Sequence, residues 1–313
     1  MNSGTTKNYA GIDLGSNTIR LLVGRLENSK LHTIYKDLSI TRLGSDFYST
    51  SAISKKSWEK SLKVLNEYSD IIREHNVSAL SVCATGVLRL AKNAADFVAA
   101  VKSETGLDIT IISGEQEARL AALGVTSVVS AKKSVIFDVG GGSTEFIITK
   151  GDDIKFADSV DIGAVTLYES CVESDPPTHA DLEKMSRHIK QALSDCKDSL
   201  ISALPDDYDL IFTAGTATTL AAIKLGMGVY DSDRVNNTLM TSTEARAIYD
   251  ELISKNKSDR AAIVGLEKGR EDIIISGSAI ALNVMEMFSK DQMTISDAGL
   301  LEGIVINTCR RDR

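Results

Sequence analysis

One motif occurs twice in this chain and limits what it can fold into. Ile12-Asp13-Leu14-Gly15-Ser16-Asn17-Thr18 and Phe137-Asp138-Val139-Gly140-Gly141-Gly142-Ser143 both read apolar-Asp-apolar-Gly-small-small-Ser/Thr, each between β-rich apolar runs. The copies lie about 125 residues apart, the length of one domain. Each begins the same predicted series: hairpin, third strand, helix, strand, helix. With 313 residues, the chain is long enough for two cores. The repeat predicts two related α/β domains, 1–124 and 125–313, with the last helix able to pack back on the first.

Periodicity fills in the series. Tyr9 to Gly24 and Ser134 to Thr149 predict hairpins around glycine-rich turns. Leu31–Lys36 and Ile154–Asp161 predict the third strands. Trp58, Leu62, Leu65 and Ile72 share one face of a helix over 55–75. A buried strand over 79–84 ends at Thr85-Gly86, and a helix near 93–105 leads to a strand over 108–112. Ser113 is a helix cap with Gln116 three residues on, which places Glu117 in the first turn. Further helices are expected at 179–201, around 245–252, at 276–288 and from about Ala298. Short strands are expected at 210–213 and 293–296.

Each part of the repeated motif has a physical use. An Asp at a strand end can reach a metal ion or its water. Glycines bring backbone N–H groups close to an anion. A Ser or Thr hydroxyl adds one more donor. A single copy is more often an ordinary tight turn; two copies at domain spacing point to a grip on a phosphate chain.

Composition excludes several alternatives. The formal charge of −8 offers no bulk attraction for nucleic acid or an anionic membrane. No apolar run approaches the ~18–20 residues that span a bilayer. The four cysteines, Cys83, Cys171, Cys196 and Cys309, have no metal-type spacing and read as reduced structural thiols. The segment before Tyr9 is polar and lacks a secretory signal, so a cytoplasmic location is expected. Neither HExxH nor G-x-S-x-G occurs, against a zinc or serine hydrolase. Arg310-Arg311-Asp312-Arg313 reads as a solvated basic tail.

The repeated turns resemble those of the acetate kinase, sugar kinase, heat-shock chaperone and actin superfamily. A more specific resemblance rests on Thr41-Arg-Leu-Gly, Ala84-Thr-Gly-Val-Leu-Arg-Leu-Ala-Lys-Asn93, Ile112-Ser-Gly-Glu-Gln-Glu-Ala-Arg-Leu120, Phe137-Asp-Val-Gly-Gly-Gly-Ser-Thr-Glu145, Thr213-Ala-Gly-Thr and Gly269-Arg-Glu-Asp-Ile273. In that order they are similar to the exopolyphosphatase and guanosine pentaphosphate phosphatase (Ppx/GppA) family. The resemblance implies two RNase H-like (actin-like ATPase) domains with an interdomain active-site cleft. It also implies in-line attack of water on polyphosphate or pppGpp, with Mg²⁺ as cofactor. The expected partners are polyphosphate or guanosine penta/tetraphosphate, with no nucleic acid and no membrane; a homodimer is compatible.

By the same resemblance Glu117 is the catalytic carboxylate and Arg89 neutralises phosphate charge. Gly15, Ser16 and Asn17 form one phosphate turn; Gly140, Gly141, Gly142, Ser143 and Thr144 form the other. Asp13, Asp138 and Glu145 hold the metal or its waters. Arg42 and Arg270 are weaker candidates for the far end of a long anion. The chain departs from the family at Gln116, where an acid is usual, and at Leu301, where an arginine is usual. It also resembles the short form without an added helical domain. Two other readings stay open: an ATP-dependent small-molecule kinase, suggested by the Thr213-Ala-Gly-Thr turn, and a non-catalytic sensor of ppGpp or polyphosphate.

Overall fold

A computed structural model of the chain describes residues 7–27, 30–45, 47–151 and 153–312. Residues 1–6 and Arg313 of the basic tail lie outside them. Along the chain run β1 (Asn8–Leu14), β2 (Thr18–Glu27), β3 (Lys30–Ile40), α1 (Phe47–Thr50), α2 (Lys55–Glu74), β4 (Val77–Ala84), a 3-10 turn (Gly86–Arg89), α3 (Ala94–Thr105), β5 (Ile109–Ile111) and α4 (Gly114–Thr126). Then come β6 (Lys133–Val139), β7 (Thr144–Lys150), β8 (Asp153–Val160), α5 (Ala164–Cys171), α6 (His179–Ser202), β9 (Asp209–Thr213) and α7 (Ala214–Lys224). The chain closes with α8 (Ser232–Val235), β10 (Thr238–Thr241), α9 (Ser242–Ser254), α10 (Lys257–Arg260), α11 (Ile273–Met287), β11 (Gln292–Ser296) and α12 (Leu300–Arg311).

Contacts divide the chain into two compact units, Met1–Ser127 with Gly299–Arg313, and Val128–Ala298. The first boundary thus falls just after the expected residue 124. Residues 299–313 group with the first unit rather than with 125–298.

The predicted repeat is a repeat of topology. The first unit's sheet has the order β3-β2-β1-β4-β5 and the second's β10-β11-β9-β6-β7-β8. In each, an antiparallel hairpin leads to a third antiparallel strand on one side, and parallel strands extend the other side. Parallel neighbours need helical crossovers, which α2 supplies between β3 and β4 and α6 between β8 and β9. The second sheet adds β10 at its edge.

In the first unit, strand alternation sends Ala10, Ile12 and Leu14 into one core with Leu65, Tyr68, Phe97 and Val101 of α2 and α3. Tyr9 points the other way, into a cluster with Leu22, Leu301, Val305 and Cys309. α12 lies so close to β1 that a Cβ on Gly11 would stand 2.9 Å from Ile304 and from Val305. It crosses α4 closer still. A Cβ on Gly303 would sit 1.8 Å from the Leu120 carbonyl, and one on Gly124 equally near that of Gly299. Only hydrogen fits at these crossings.

The second unit has one large core. Phe137 and Phe212 stack with ring centroids 4.3 Å apart, joined by Phe146, Met185, Ile189, Leu220, Ile275 and Ile295. Arg260 is fully buried; it pairs with Asp175 at 2.7 Å and bonds the carbonyls of Glu271, Lys255 and Leu252. All four cysteines are buried and free of disulfides. Among the described residues, no helix is long and apolar enough to cross a membrane.

Candidate active site

In the first unit, Glu117 stands where the capping pattern puts it. Ser113 Oγ accepts from the Gln116 amide at 3.2 Å, and Gln116 Oε1 accepts from the Ser113 amide at 2.9 Å. The Gln116 departure therefore costs the helix nothing: a neutral amide completes the capping box that an acid would complete. Arg89, on the 3-10 turn, donates from Nη1 to Glu117 Oε2 at 2.8 Å and to the Ile112 carbonyl at 3.4 Å. The two predicted catalytic residues are in contact, with side chains 35% and 24% exposed respectively. Both reach solvent and so a ligand.

The first turn is closed by Gly15, whose amide donates to the Thr18 carbonyl at 3.0 Å. Ser16 and Asn17 are exposed, and among the described residues no hydrogen bond occupies their amides. Their carbonyls are engaged: Gly44 donates to Ser16, and Thr41 and Arg42 donate to Asn17. Ser16 Oγ accepts from the Val87 amide at 3.1 Å.

Asp13 is 3% exposed. Strand register sets it opposite Arg20 of β2, whose Nε and Nη2 both donate to Oδ2, the former at 2.9 Å. Oδ1 is buried without a partner. Asp13 already has a countercharge, so a metal there would approach a guanidinium; this weighs against its expected place among the metal ligands. Arg20 was missed in the sequence. Its signal was the hairpin itself, since a charged residue facing an Asp across two strands pairs with it. On the other side Asp13 faces Cys83, whose thiol is pushed up to about 11 by burial and then by the Asp13 charge. Cys83 stays protonated and is no nucleophile.

The second unit repeats this row with a different outcome. Asp138 of β6 faces Glu145 of β7, which faces Ser159 of β8; on the other side Asp138 faces Thr213. Glu145 thus occupies the place held by Arg20 in the first copy. Glu145 Oε1 accepts from Ser143 Oγ and from Ser159 Oγ, the latter at 3.1 Å. Ser159 is a further residue of this cluster that the sequence did not reveal. Asp138 and Glu145 thus set two half-buried carboxylates at opposite positions of adjacent strands. Mg²⁺ needs one or two carboxylates and keeps its waters; Asp138 and Glu145 fit it. Among the described residues, no group of three or more His, Cys, Asp or Glu side chains is placed to hold a metal.

The Gly140 amide closes the second turn on the Ser143 carbonyl at 2.9 Å, as Gly15 does in the first. Gly141 and Gly142 are half-buried, and among the described residues no hydrogen bond occupies their amides. Thr144 corrects an expectation. It is fully buried, and its hydroxyl donates to the Ile162 carbonyl at 2.6 Å. Alternation along β7 turns its side chain into the core beside Phe146 and Ile148, so its hydroxyl is engaged there. Arg270 pairs with Glu267 and lies against Gly215. Leu301 is 1% exposed and packed on Tyr9 and Leu22, so its position serves the core of the first unit rather than a ligand.

Residues 22–311 match the model of the Ppx/GppA phosphatase family. The chain belongs to this family. It is 28% identical to exopolyphosphatase 2 of Mycobacterium tuberculosis, over 95% of this chain and 97% of that protein. It is 29% identical to the guanosine-5'-triphosphate,3'-diphosphate pyrophosphatase of Aeromonas hydrophila, over 95% of this chain and 58% of that longer protein. The crystal structure of the Aquifex aeolicus Ppx/GppA member superposes with a TM-score of 0.87 at 30% identity, covering 98% of this chain and 99% of that one. The chain shares its two-domain, actin-like ATPase-type α/β fold, and with it the phosphatase character of the family.

Proposed function

We propose that this phosphatase is a Mg²⁺-assisted exopolyphosphatase. It releases the terminal phosphate of inorganic polyphosphate by in-line attack of water, and it also converts pppGpp to ppGpp. The observation that carries this reading is the Arg89–Glu117 contact, a carboxylate held by a cation that a phosphate can take over. Relatives named for each of the two substrates support the substrate class.

The chemistry follows from the residues. An arriving phosphate oxyanion competes with Glu117 for the Arg89 guanidinium. As Arg89 turns to the phosphate, Glu117 Oε2 becomes the acceptor for a proton of the attacking water. The water oxygen bonds to the terminal phosphorus, the bridging P–O bond breaks, and its electron pair leaves with the shortened chain. The amides of Ser16 and Asn17, on the turn of the same unit, hold non-bridging oxygens; in the second unit, Gly141 and Gly142 offer amides of the same kind. Asp138 and Glu145 would hold Mg²⁺, which when bound neutralises phosphate charge.

Phosphate release from short polyphosphate, long polyphosphate and pppGpp, each with and without Mg²⁺, tests the reading. Release from neither substrate class, together with ATP consumption in the presence of a small acceptor, would sink it in favour of a kinase. Tight calorimetric binding without release would favour a sensor.

A further inference from the structure

The 3-10 turn that carries Arg89 has no cap of its own. Thr85, at its N-cap place, makes no side-chain hydrogen bond to it. An amide at the start of such a turn has no partner within it and needs an acceptor; Val87 is buried, and the acceptor comes from far along the chain: Ser16 Oγ, 3.1 Å from the Val87 amide. The approach is tight. Gly86 has φ +53°, and a Cβ there would stand 2.3 Å from Ser16 Oγ. A side chain at position 86 would be strained in the left-handed region and would also collide with the hydroxyl.

Ser16 is itself fastened. Its carbonyl accepts from the Gly44 amide at 2.7 Å, and the neighbouring Leu14 carbonyl accepts from the Thr85 amide at 3.1 Å. The β1–β2 turn and the 3-10 turn are therefore joined at two points, and the second is the Ser16 hydroxyl. Two residues beyond Val87, Arg89 reaches Glu117.

From this geometry we infer that Ser16 is a positioning residue for hydrolysis: its hydroxyl sets the Gly86–Arg89 turn and, through it, the meeting of Arg89 with Glu117. The inference rests on the hydrolytic reading given above. Ser16 Oγ meets the Val87 amide with a lone pair, so its proton remains available to a phosphate oxygen. A phosphate on the first turn would touch the same atom that fixes the Arg89 turn.

The test uses Ser16→Ala, Ser16→Thr, Arg89→Gln and the double variant Ser16→Ala/Arg89→Gln in the full chain. Ser16→Ala lowers kcat about tenfold, with KM moving less than about threefold. Ser16→Thr, which keeps the hydroxyl, recovers most of that loss. The double variant is no slower than Arg89→Gln alone, because Ser16 acts through Arg89. Amide hydrogen exchange at Val87 in substrate-free protein quickens about tenfold in Ser16→Ala and is unchanged in Arg89→Gln. Full additivity of the two losses overturns the inference, as does unchanged exchange at Val87. A loss confined to KM also overturns it, since Ser16 would then be a phosphate contact alone. If Arg89→Gln releases phosphate at the unaltered rate, the hydrolytic reading of the Arg89–Glu117 pair is what fails. The exchange result still decides whether Ser16 holds the turn.

Discussion

Arg89 Nη1 donates to Glu117 Oε2 at 2.8 Å, across 28 residues of chain. Each is a partner of the other, so the two charges compensate one another. The pair is partly solvent-exposed, and such pairs are weak. On the hydrolytic reading proposed above, a phosphate end would displace Glu117 from Arg89 at little cost.

The first prediction concerns this pair. Glu117→Gln keeps the shape and a hydrogen-bond acceptor but cannot take the water's proton. Phosphate release should fall by about 10²–10⁴-fold, while polyphosphate binding by calorimetry stays within about threefold. Equal losses in binding and turnover would show that Glu117 holds substrate rather than activating water.

The second concerns the metal. Asp138→Asn and Glu145→Gln each remove one charge from the facing pair. The Mg²⁺ concentration for half-maximal activity should rise about 10–100-fold in either variant, and the Mg²⁺-induced rise in Tm of substrate-free protein should shrink. Asp13→Asn should leave that Tm response in place, because Arg20 already neutralises Asp13. A Tm response lost in Asp13→Asn and kept in Glu145→Gln would move the metal to the first turn.

The third concerns the α4–α12 crossing. Gly303→Ala places a methyl 1.8 Å from the Leu120 carbonyl, and no side-chain rotation relieves a clash with backbone. The helices must part, at a cost of about 3 kcal/mol or more, read as a lowered midpoint in urea. Gly151→Ala offers a contrast: nothing lies within 4 Å of its Cβ, and only its φ of +62° is penalised.

The fourth concerns acid. Hydrogen bonds from the Ser174 hydroxyl, the Thr178 amide and the Thr178 hydroxyl hold the Asp181 carboxyl well below its ordinary value of 3.8. Lys224, together with the Thr241 amide and hydroxyl, holds Glu244 at about 2, against an ordinary 4.5. Both folded values are depressed. Their stabilisation is therefore complete above the unfolded values and is lost as pH falls from about 4.5 through about 2. Asp181→Asn should be less stable than the unaltered chain near neutral pH, with the deficit shrinking in urea titrations at about pH 3. A deficit constant with pH would show that packing, not charge, is what Asn disturbs.

Much of this was legible in residue patterns because local chemistry set it. The two Asp-Gly turns, the α2 stripe and the Ser113–Gln116 cap that fixes Glu117 are all decided within a few neighbours. What escaped depended on distant partners. Arg20 finds Asp13 only once the hairpin register is set, and Ser159 finds Glu145 through a third strand. The α5 helix follows Gly163, which has no capping side chain to announce it, and β10 is four residues long, held by pairing with β11. Thr144 was misread because position in a glycine-rich motif does not say which face of the strand a side chain takes.

The return of α12 to the first unit has a consequence for how the chain is made. Tyr9, Leu22, Leu26 and Ala79 find their cover in Leu301, Val305 and Cys309, which leave the ribosome only after residues 128–298. The nascent first sheet must therefore carry a bare apolar face throughout synthesis of the second unit, whose own strands and helices are contiguous and can close first. A gene fragment ending at residue 127 would keep that face bare. A circular permutant that joins 299–313 ahead of residue 7 would cover it from the start.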